Sequence, residues 1–336
     1  MINQKIKLVR PGLFQSFFSL QENEWRKIIV RPTVLSICAA DQRYFAGNRP
    51  AEVLKDKLPM CLIHEAIGRV VFDPLERFFP GQDVILLPNR GGDSKDINYL
   101  PNSYFRSSSA DGFTQEILEL RENEVIPFSS SSPKYYVLTE LLSVCYHAIS
   151  QVPTSEWAKA SSVGIWGDGV VSYLLSLCIK SEYPNLELKV IGKHSDKLML
   201  FSHADSFSIF CQRTSSLSQV DLAFEAVGGK SSEEAIDQIL EVIKPCRSVC
   251  LLGVTDYPVR LNTRKILEKG LILRGSSRSL RKDFLKAKLF MDKIIDFSVF
   301  DKIISQEISV QSPEELTRAF LCDQLVPFKT LLTWNI

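Results

Sequence analysis

The sequence predicts an α/β protein, with a doubly wound parallel sheet in its second half and a mainly-β domain in its first. Three observations carry this. Between residues 160 and 274, short apolar runs alternate with helix-length segments, the pattern of a parallel sheet covered on both faces. Residues 1–130 instead read as short strands joined by long loops. The length, 336 residues, suits about two domains of ~150 residues each.

The elements follow in order. Residues 27–30 and 67–72 read as short strands, and Pro80-Gly81-Gln82 as a turn before the apolar run 84–87. Residues 89–98 are polar and Gly-rich and read as an exposed loop. The four-serine run 129–132, closed by Pro133, is a loop ahead of a helix over 135–151, where apolar residues recur at helical spacing. Strands are then expected at 160–166, 186–191, 219–225, 248–252 and 271–274. Helices are expected at 170–179, 195–201, 232–243 and 262–269. The tail, 282–336, returns to helix and short strand without a nucleotide motif of its own. No solenoid-length repeat interrupts this order.

Composition excludes several function classes. Forty Lys and Arg against 39 Asp and Glu leave a net charge of +1, unlike the basic excess of a dedicated nucleic-acid binder. At 45% hydrophobic and 24% charged, the chain is an ordinary folded protein. No apolar stretch approaches the ~20 residues of a membrane span. Residues 1–12 lack the apolar run of a signal peptide, so a cytoplasmic location is expected. The eight cysteines, at 38, 61, 145, 178, 211, 246, 250 and 322, form no C-x-x-C pair and read as reduced thiols.

Between the expected strand 160–166 and helix 170–179 lies Gly167-Asp168-Gly169-Val170-Val171-Ser172, a G-x-G-x-x-S. Two close glycines allow the tight turn and the approach of a pyrophosphate to the helix N-terminus. Ser172 replaces the usual third glycine but is small enough for helix–strand packing. Gly167, Gly169 and Val170 are therefore candidate dinucleotide-binding positions. After the next strand, Gly192-Lys193-His194 offers no acid for a ribose 2′-hydroxyl. Lys193, His194 and Lys197 can instead neutralise a 2′-phosphate, which favours NADP over NAD. An ordinary solvated basic loop is the competing reading.

Cys38, His64, Glu65 and Glu140 are candidate metal ligands. Zinc accepts thiolate, imidazole and carboxylate, and its catalytic sites use three protein ligands and an open position. Taken singly, each residue has an ordinary structural explanation. Their flanking segments change that. Ser36-Ile37-Cys38-Ala39-Ala40-Asp41, Ile63-His64-Glu65-Ala66-Ile67-Gly68, Glu140-Leu141-Leu142-Ser143-Val144-Cys145-Tyr146-His147-Ala148 and Phe224-Glu225-Ala226-Val227-Gly228-Gly229 occur in this order. Together they resemble the zinc-dependent medium-chain alcohol and polyol dehydrogenases over nearly the full chain.

The resemblance implies a Rossmann-type domain over 151–282 and a GroES-like catalytic zinc domain over 1–150, completed by 283–336. It makes Cys38, His64 and Glu140 zinc ligands and Glu65 an exchangeable or outer carboxylate. Two departures stand out. Ala40 occupies a position where the family often carries a proton-relaying Ser or Thr, so the relay must use water, Glu65 or a substrate hydroxyl. Residues 89–111 contain no Cys, so one catalytic zinc and no structural zinc is expected.

Longer segments, including SICAADQRYFAG, LPMCLIHEAIG, NYLPNSYFRSSSADGF and GSSRSLRKDF, resemble a narrower group. These are the ribulose-5-phosphate reductases (ribitol-5-phosphate dehydrogenases) of bacterial teichoic-acid and capsule synthesis. The implied activity is NADPH-dependent reduction of D-ribulose 5-phosphate to D-ribitol 5-phosphate, ahead of a cytidylyltransferase. A phosphorylated ketose also needs cations, and arginine's planar fork suits phosphate. Arg43, Arg106, Arg278 and Arg281 are candidates, with surface ion pairing as the competing role for each. Tyr44 resembles a substrate-pocket tyrosine of the group. Another pentitol-phosphate dehydrogenase, for arabinitol 5-phosphate for example, stays open, as does a non-catalytic scaffold. The family resemblance further implies a homo-oligomer, dimer or tetramer, with strand 271–274 as a contact.

Overall fold

In the computed structural model, residues 1–20, 26–90, 99, 103–210 and 217–336 are described. The chain divides into two compact units. Unit 1 comprises Met1–Ser143 and Arg278–Ile336, and unit 2 comprises Val144–Ser277.

Unit 1 opens on an antiparallel hairpin of β1 (Ile2–Arg10) and β2 (Leu13–Leu20). Its main sheet begins with β3 (Ile28–Ser36), β4 (Glu65–Phe72) and β5 (Asp83–Leu86). Short strands follow: β6 (Asn89–Arg90), β7 (Tyr104–Phe105), β8 (Leu118–Leu120) and β9 (Val125–Pro127). Pro32 cannot donate a ladder hydrogen bond, and the register of β3 against β4 shifts at Pro32/Val34.

Unit 2 holds β10 (Ser162–Trp166), β11 (Glu187–Gly192), β12 (Ser206–Ile209), β13 (Leu222–Glu225), β14 (Ser248–Leu251) and β15 (Ile272–Gly275). They pair in parallel in the order β12-β11-β10-β13-β14-β15. This is the doubly wound sheet that the alternating pattern predicts. Every residue of the central strand β10 is buried, as befits a strand covered on both faces.

The chain then returns to unit 1. β16 (Ile304–Val310) and β17 (Lys329–Trp334) complete the sheet in the order β16-β17-β3-β4-β5-β9, with β8 also on β3. Helix Pro313–Asp323 brings Phe320 onto Phe45 and Phe14, with ring centroids 4.9 and 5.2 Å apart. This aromatic contact belongs to the main core cluster of unit 1.

Some details differ from the sequence reading. The β1–β2 hairpin and β12 were not anticipated. Phe18 and Leu20 of β2, and Phe207 and Ile209 of β12, are exposed, so neither strand shows a clean buried alternation. The expected helix 135–151 is a 3₁₀ turn, Pro133–Leu138, followed by an α-helix, Thr139–Gln151. Asn89 and Arg90 are not loop; they pair with Phe105 and Tyr104 and are half-buried. The rest of that expected loop, 91–98, lies outside the described residues. Among the described residues no helix is long and apolar enough to cross a membrane.

One buried carboxylate fastens the start of the parallel sheet. Asp221 accepts from the backbone of Ser161 and Ser162 at 3.0 and 3.2 Å, and it pairs with Lys244 and Arg247 at 3.0 and 3.1 Å. Burial pushes its carboxyl up, but the Ser161 amide and Lys244 outweigh this and hold it far below the usual carboxylate range. Asp221→Asn should cost about 2–4 kcal/mol of stability in urea unfolding. Because the folded value lies below the unfolded ~3.9, the contribution is complete above about pH 4 and fades as pH falls further. A gap between wild type and variant that stays constant through that range would contradict a role for the charge.

Candidate active site

The site in unit 1 grows from three chain segments that one carboxylate joins. Cys38 caps helix Ala39–Phe45, and Asp41 sits in that helix's first turn, fully buried. Asp41 accepts from the Cys38 backbone at 3.3 Å, from the Ile63 backbone at 3.1 Å, and from the Ser107 hydroxyl. Its Oδ2 lies 3.5 Å from Nδ1 of His64. Burial pushes this carboxyl up, but the His64 charge and the hydrogen bonds from Ser107 and Ile63 outweigh it and hold it low. Burial likewise opposes charge on His64, and Asp41 and Cys38 outweigh that, raising its proton affinity well above the ordinary value.

Backbone strain collects at the same place. Ile63, a β-branched residue, has φ of 66°, and Ser107 and Arg278 have φ of 62° and 55°. Such left-handed backbone costs about 1–3 kcal/mol per residue and persists only where surrounding bonds enforce it. At Ile63 the amide is held by Asp41, and the carbonyl accepts from Phe113 at 2.8 Å. The turn delivers His64 to the site.

Ligand-type atoms of Cys38, His64 and Glu65 all lie within 4.8 Å of one another. Glu65 is fully buried at the start of β4. Its Oε1 accepts from Lys329 at 2.7 Å, whereas Oε2 is buried without a hydrogen-bond partner. Glu140, in the first turn of helix Thr139–Gln151, is buried beside this group but outside its close triad. Burial, reinforced by the Glu65 and Asp41 charges and opposed by His64 and Lys329, pushes its carboxyl up to about 7. Glu140 was expected as the third ligand and Glu65 as an exchangeable or outer carboxylate; in the structure the close triad contains Glu65. Glu65 follows His64 directly in the chain and is pinned by Lys329, which keeps it in the triad.

A thiol, an imidazole and a carboxylate with an orphaned oxygen form a donor set that fits zinc. Asp41, Glu65 and Glu140 are collected around Lys329 and His64 at the same place.

Lys329 had no sequence signal beyond its place in the tail. It is a buried lysine in β17, donating to Glu65 and to the Ile37 carbonyl at 2.8 Å. Burial would lower its proton affinity, but Glu65 and Cys38 reverse this and push it up to about 12. Asp41 and Ser107 were likewise present only as letters within motifs.

The substrate candidates separate. Phe105 lies against His64, with ring centroids 5.0 Å apart, and Ser107 bonds Asp41. Arg106 between them is therefore anchored at the site. It reaches the Asp111 carbonyl at 3.2 Å and Glu124 at 3.8 Å, and its Nε is buried without a partner. Arg278 donates to Ser103 at 3.2 Å, and the adjacent Ser279 meets Ser143, one turn beyond Glu140, at 2.7 Å. Arg43 lies half-buried on helix Ala39–Phe45. Tyr44 packs in the unit 1 core, 4% exposed, with Arg49 over its ring. Arg281 donates to the carbonyls of Asn123 and Val125, at 2.9 and 2.8 Å, and lines a separate cavity of unit 1.

Unit 2 carries its own cavity, of about 350 Å³, at the ends of β10, β11 and β13. Gly167, with φ of 130°, has no room for a Cβ, which would meet Ser172 Oγ at 2.6 Å and the Ala226 carbonyl at 2.8 Å. A Cβ on Gly169 would meet nothing within 4 Å, so the backbone there is open to a ligand. Val170 then begins helix Val170–Glu182. These features fit a pyrophosphate. Lys193 and His194 line the cavity, whereas Lys197 lies beyond its lining. Lys193 is engaged by Ser231 at 2.9 Å and Glu234 at 3.2 Å.

Sequence reasoning missed Asp168 and Lys230 here. Asp168 Oδ2 accepts from the backbone of Lys193 and His194 at 2.7 and 2.8 Å, and lies 3.0 Å from His194 Nδ1. It holds the basic loop in place. Lys230 lines the cavity beside Ser231. The Gly228-Gly229-Lys230-Ser231 turn after β13 was the available signal.

Lys329→Met should cost about 3–5 kcal/mol in urea unfolding, because it strands the buried Glu65 carboxylate. Adding Glu65→Gln should recover part of that loss. Strictly additive losses would contradict the pairing.

No protein-family model matches the chain. Individual relatives do. Ribulose-5-phosphate reductase 2 of Staphylococcus aureus is 41% identical over 344 residues, with 100% of both chains covered. The ribulose-5-phosphate reductase of Bacillus spizizenii is 38% identical over 344 residues, again with 100% of both covered. Among solved structures, S. aureus TarJ in complex with NADPH has a TM-score of 0.88 at 36% identity, covering 100% of each chain. Identity of this extent along the whole length, on the fold and site described above, shows that the chain belongs to the ribulose-5-phosphate reductase family.

Proposed function

We propose that this chain is an NADPH-dependent reductase of D-ribulose 5-phosphate, yielding D-ribitol 5-phosphate. The observation that carries the reading is the Cys38–His64–Glu65 triad, half-buried at Cys38 and buried at His64 and Glu65, with an unpartnered carboxylate oxygen, and an arginine nearby in the chain fold whose Nε also lacks a hydrogen-bond partner. The relatives named for this reaction support it, as does the NADPH complex of TarJ.

Cys38, His64 and Glu65 would hold one zinc ion, with Glu140 adjacent as a further or exchanging carboxylate. When bound, zinc supplies Lewis-acid stabilisation of charge on a carbonyl oxygen, and NADPH supplies the hydride. The chain's own residues do the rest. Asp41 fixes the Cys38 backbone by a hydrogen bond and faces His64 Nδ1 at 3.5 Å, a charge contact that favours one ring orientation, and a fixed imidazole is a better ligand. Lys329 holds one Glu65 oxygen and leaves the other available. Arg106 takes the substrate phosphate, with Arg278 and Arg43 as further candidates. Ala40 has no hydroxyl, so the proton that completes the alcohol comes by water, Glu65 or a substrate hydroxyl.

In unit 2, Gly167 and Gly169 admit the pyrophosphate of NADPH. Lys193, His194 and Lys230 offer positive charge for its 2′-phosphate, with Lys197 a turn beyond. Asp168 spends its carboxylate on loop amides, which leaves no acid to select a free 2′-hydroxyl. The product would pass to a cytidylyltransferase in teichoic-acid or capsule synthesis. A cytoplasmic homo-oligomer completes the reading.

NADPH oxidation with D-ribulose 5-phosphate and with unphosphorylated ribulose, and product identification, tests this. The phosphorylated sugar should be strongly preferred, with ribitol 5-phosphate as product. Arg106→Ala should raise its KM ~tenfold or more with little change in the KM for NADPH. Equal turnover of both sugars, or an unchanged KM in the variant, would contradict the assignment.

A further inference from the structure

Unit 1 contains a second concentration of charge that the reductase reading does not use. A cavity of about 550 Å³ is lined by Arg26, Lys27, Arg77, Arg121 and Arg281, with Glu122 as the only acid in its lining among the described residues. It shares no residue with the Cys38–His64–Glu65 triad.

The five cations are not equivalent. Arg77 is neutralised by Asp73, at 2.7 Å, and by Glu122, at 3.3 Å. Lys27 faces Glu119 at 3.8 Å. Arg281 donates through Nη1 to the uncharged carbonyls of Asn123 and Val125, which fix the guanidinium in place without neutralising it. Burial accordingly lowers its hold on the proton. The guanidinium groups of Arg26 and Arg121 have no ion-pair partner among the described residues. They come from separate segments, one ahead of β3 and one after β8, and both line the cavity.

Converging guanidinium forks match phosphate oxygens through paired hydrogen bonds. Among the described residues no aromatic side chain lines the cavity, and the recognition proposed here rests on charge. Its size admits a small molecule. We propose that this cavity is an anion site for the diphosphate group of a small metabolite. The site also adjoins the reductase machinery through one turn. Arg281 grips the carbonyls of Asn123 and Val125, and Glu124 between them reaches Tyr104 and Arg106. A diphosphate held by Arg26, Arg121 and Arg281 therefore rests against the turn that positions Arg106.

Calorimetric titration of NADPH-saturated protein with inorganic pyrophosphate tests the proposal, because the cofactor then fills its own pyrophosphate site. The wild type should bind pyrophosphate, and more tightly than inorganic phosphate. Arg26→Ala/Arg121→Ala should weaken that binding ~tenfold or more while turnover and NADPH affinity stay at wild-type values. No binding by the wild type, or equal binding by the double variant, would overturn it.

Discussion

The Asp41 carboxylate is the constraint on which the site depends. It is fully buried, and a buried carboxylate needs every donor it can reach. Asp41 obtains them from three segments: the Cys38 amide on its own helix, the Ile63 amide ahead of β4, and the Ser107 hydroxyl after β7. Satisfying one side chain thereby sets the mutual positions of the Cys38 thiol, the His64 imidazole and the loop that carries Arg106. It also accounts for the left-handed backbone of Ile63 and Ser107, since relaxing either would withdraw a donor from Asp41.

A second consequence is topological. The permanent buried cation of the site comes from near the end of the chain. Lys329 lies 264 residues after Glu65, yet the two meet at 2.7 Å because β17 runs beside β3. The return of residues 278–336 to unit 1 is therefore part of the site's electrostatics as well as its packing. The aromatic contact of Phe320 with Phe45 and Phe14 anchors that return.

Much of this was legible in the sequence, for reasons that differ by residue. Gly167 and Gly169 could be read because strand, turn and helix are contiguous and each glycine answers a local geometric need. His64 and Glu65 could be read as adjacent letters in a motif, and Cys38 through its flanking residues. Lys329 could not, because a lysine in a strand ordinarily marks a solvated face and its partner is remote. The burial of Tyr44 was not legible for the opposite reason. Its neighbours in sequence belong to the site, but its position on helix Ala39–Phe45 turns it into the core. That Glu65 lies in the close triad was also hidden, since spacing says which carboxylates are present and not which one a distant lysine will pin.

The central claim is that Cys38, His64 and Glu65 form a zinc centre organised by Asp41 and Lys329. Zinc-edge X-ray absorption on protein equilibrated with zinc and dialysed against metal-free buffer tests it most directly. The account predicts one retained zinc per chain, with a single sulfur neighbour at ~2.3 Å and the remaining neighbours nitrogen or oxygen at ~2.0–2.2 Å. Loss of zinc on dialysis, or a shell with several sulfurs, would contradict it.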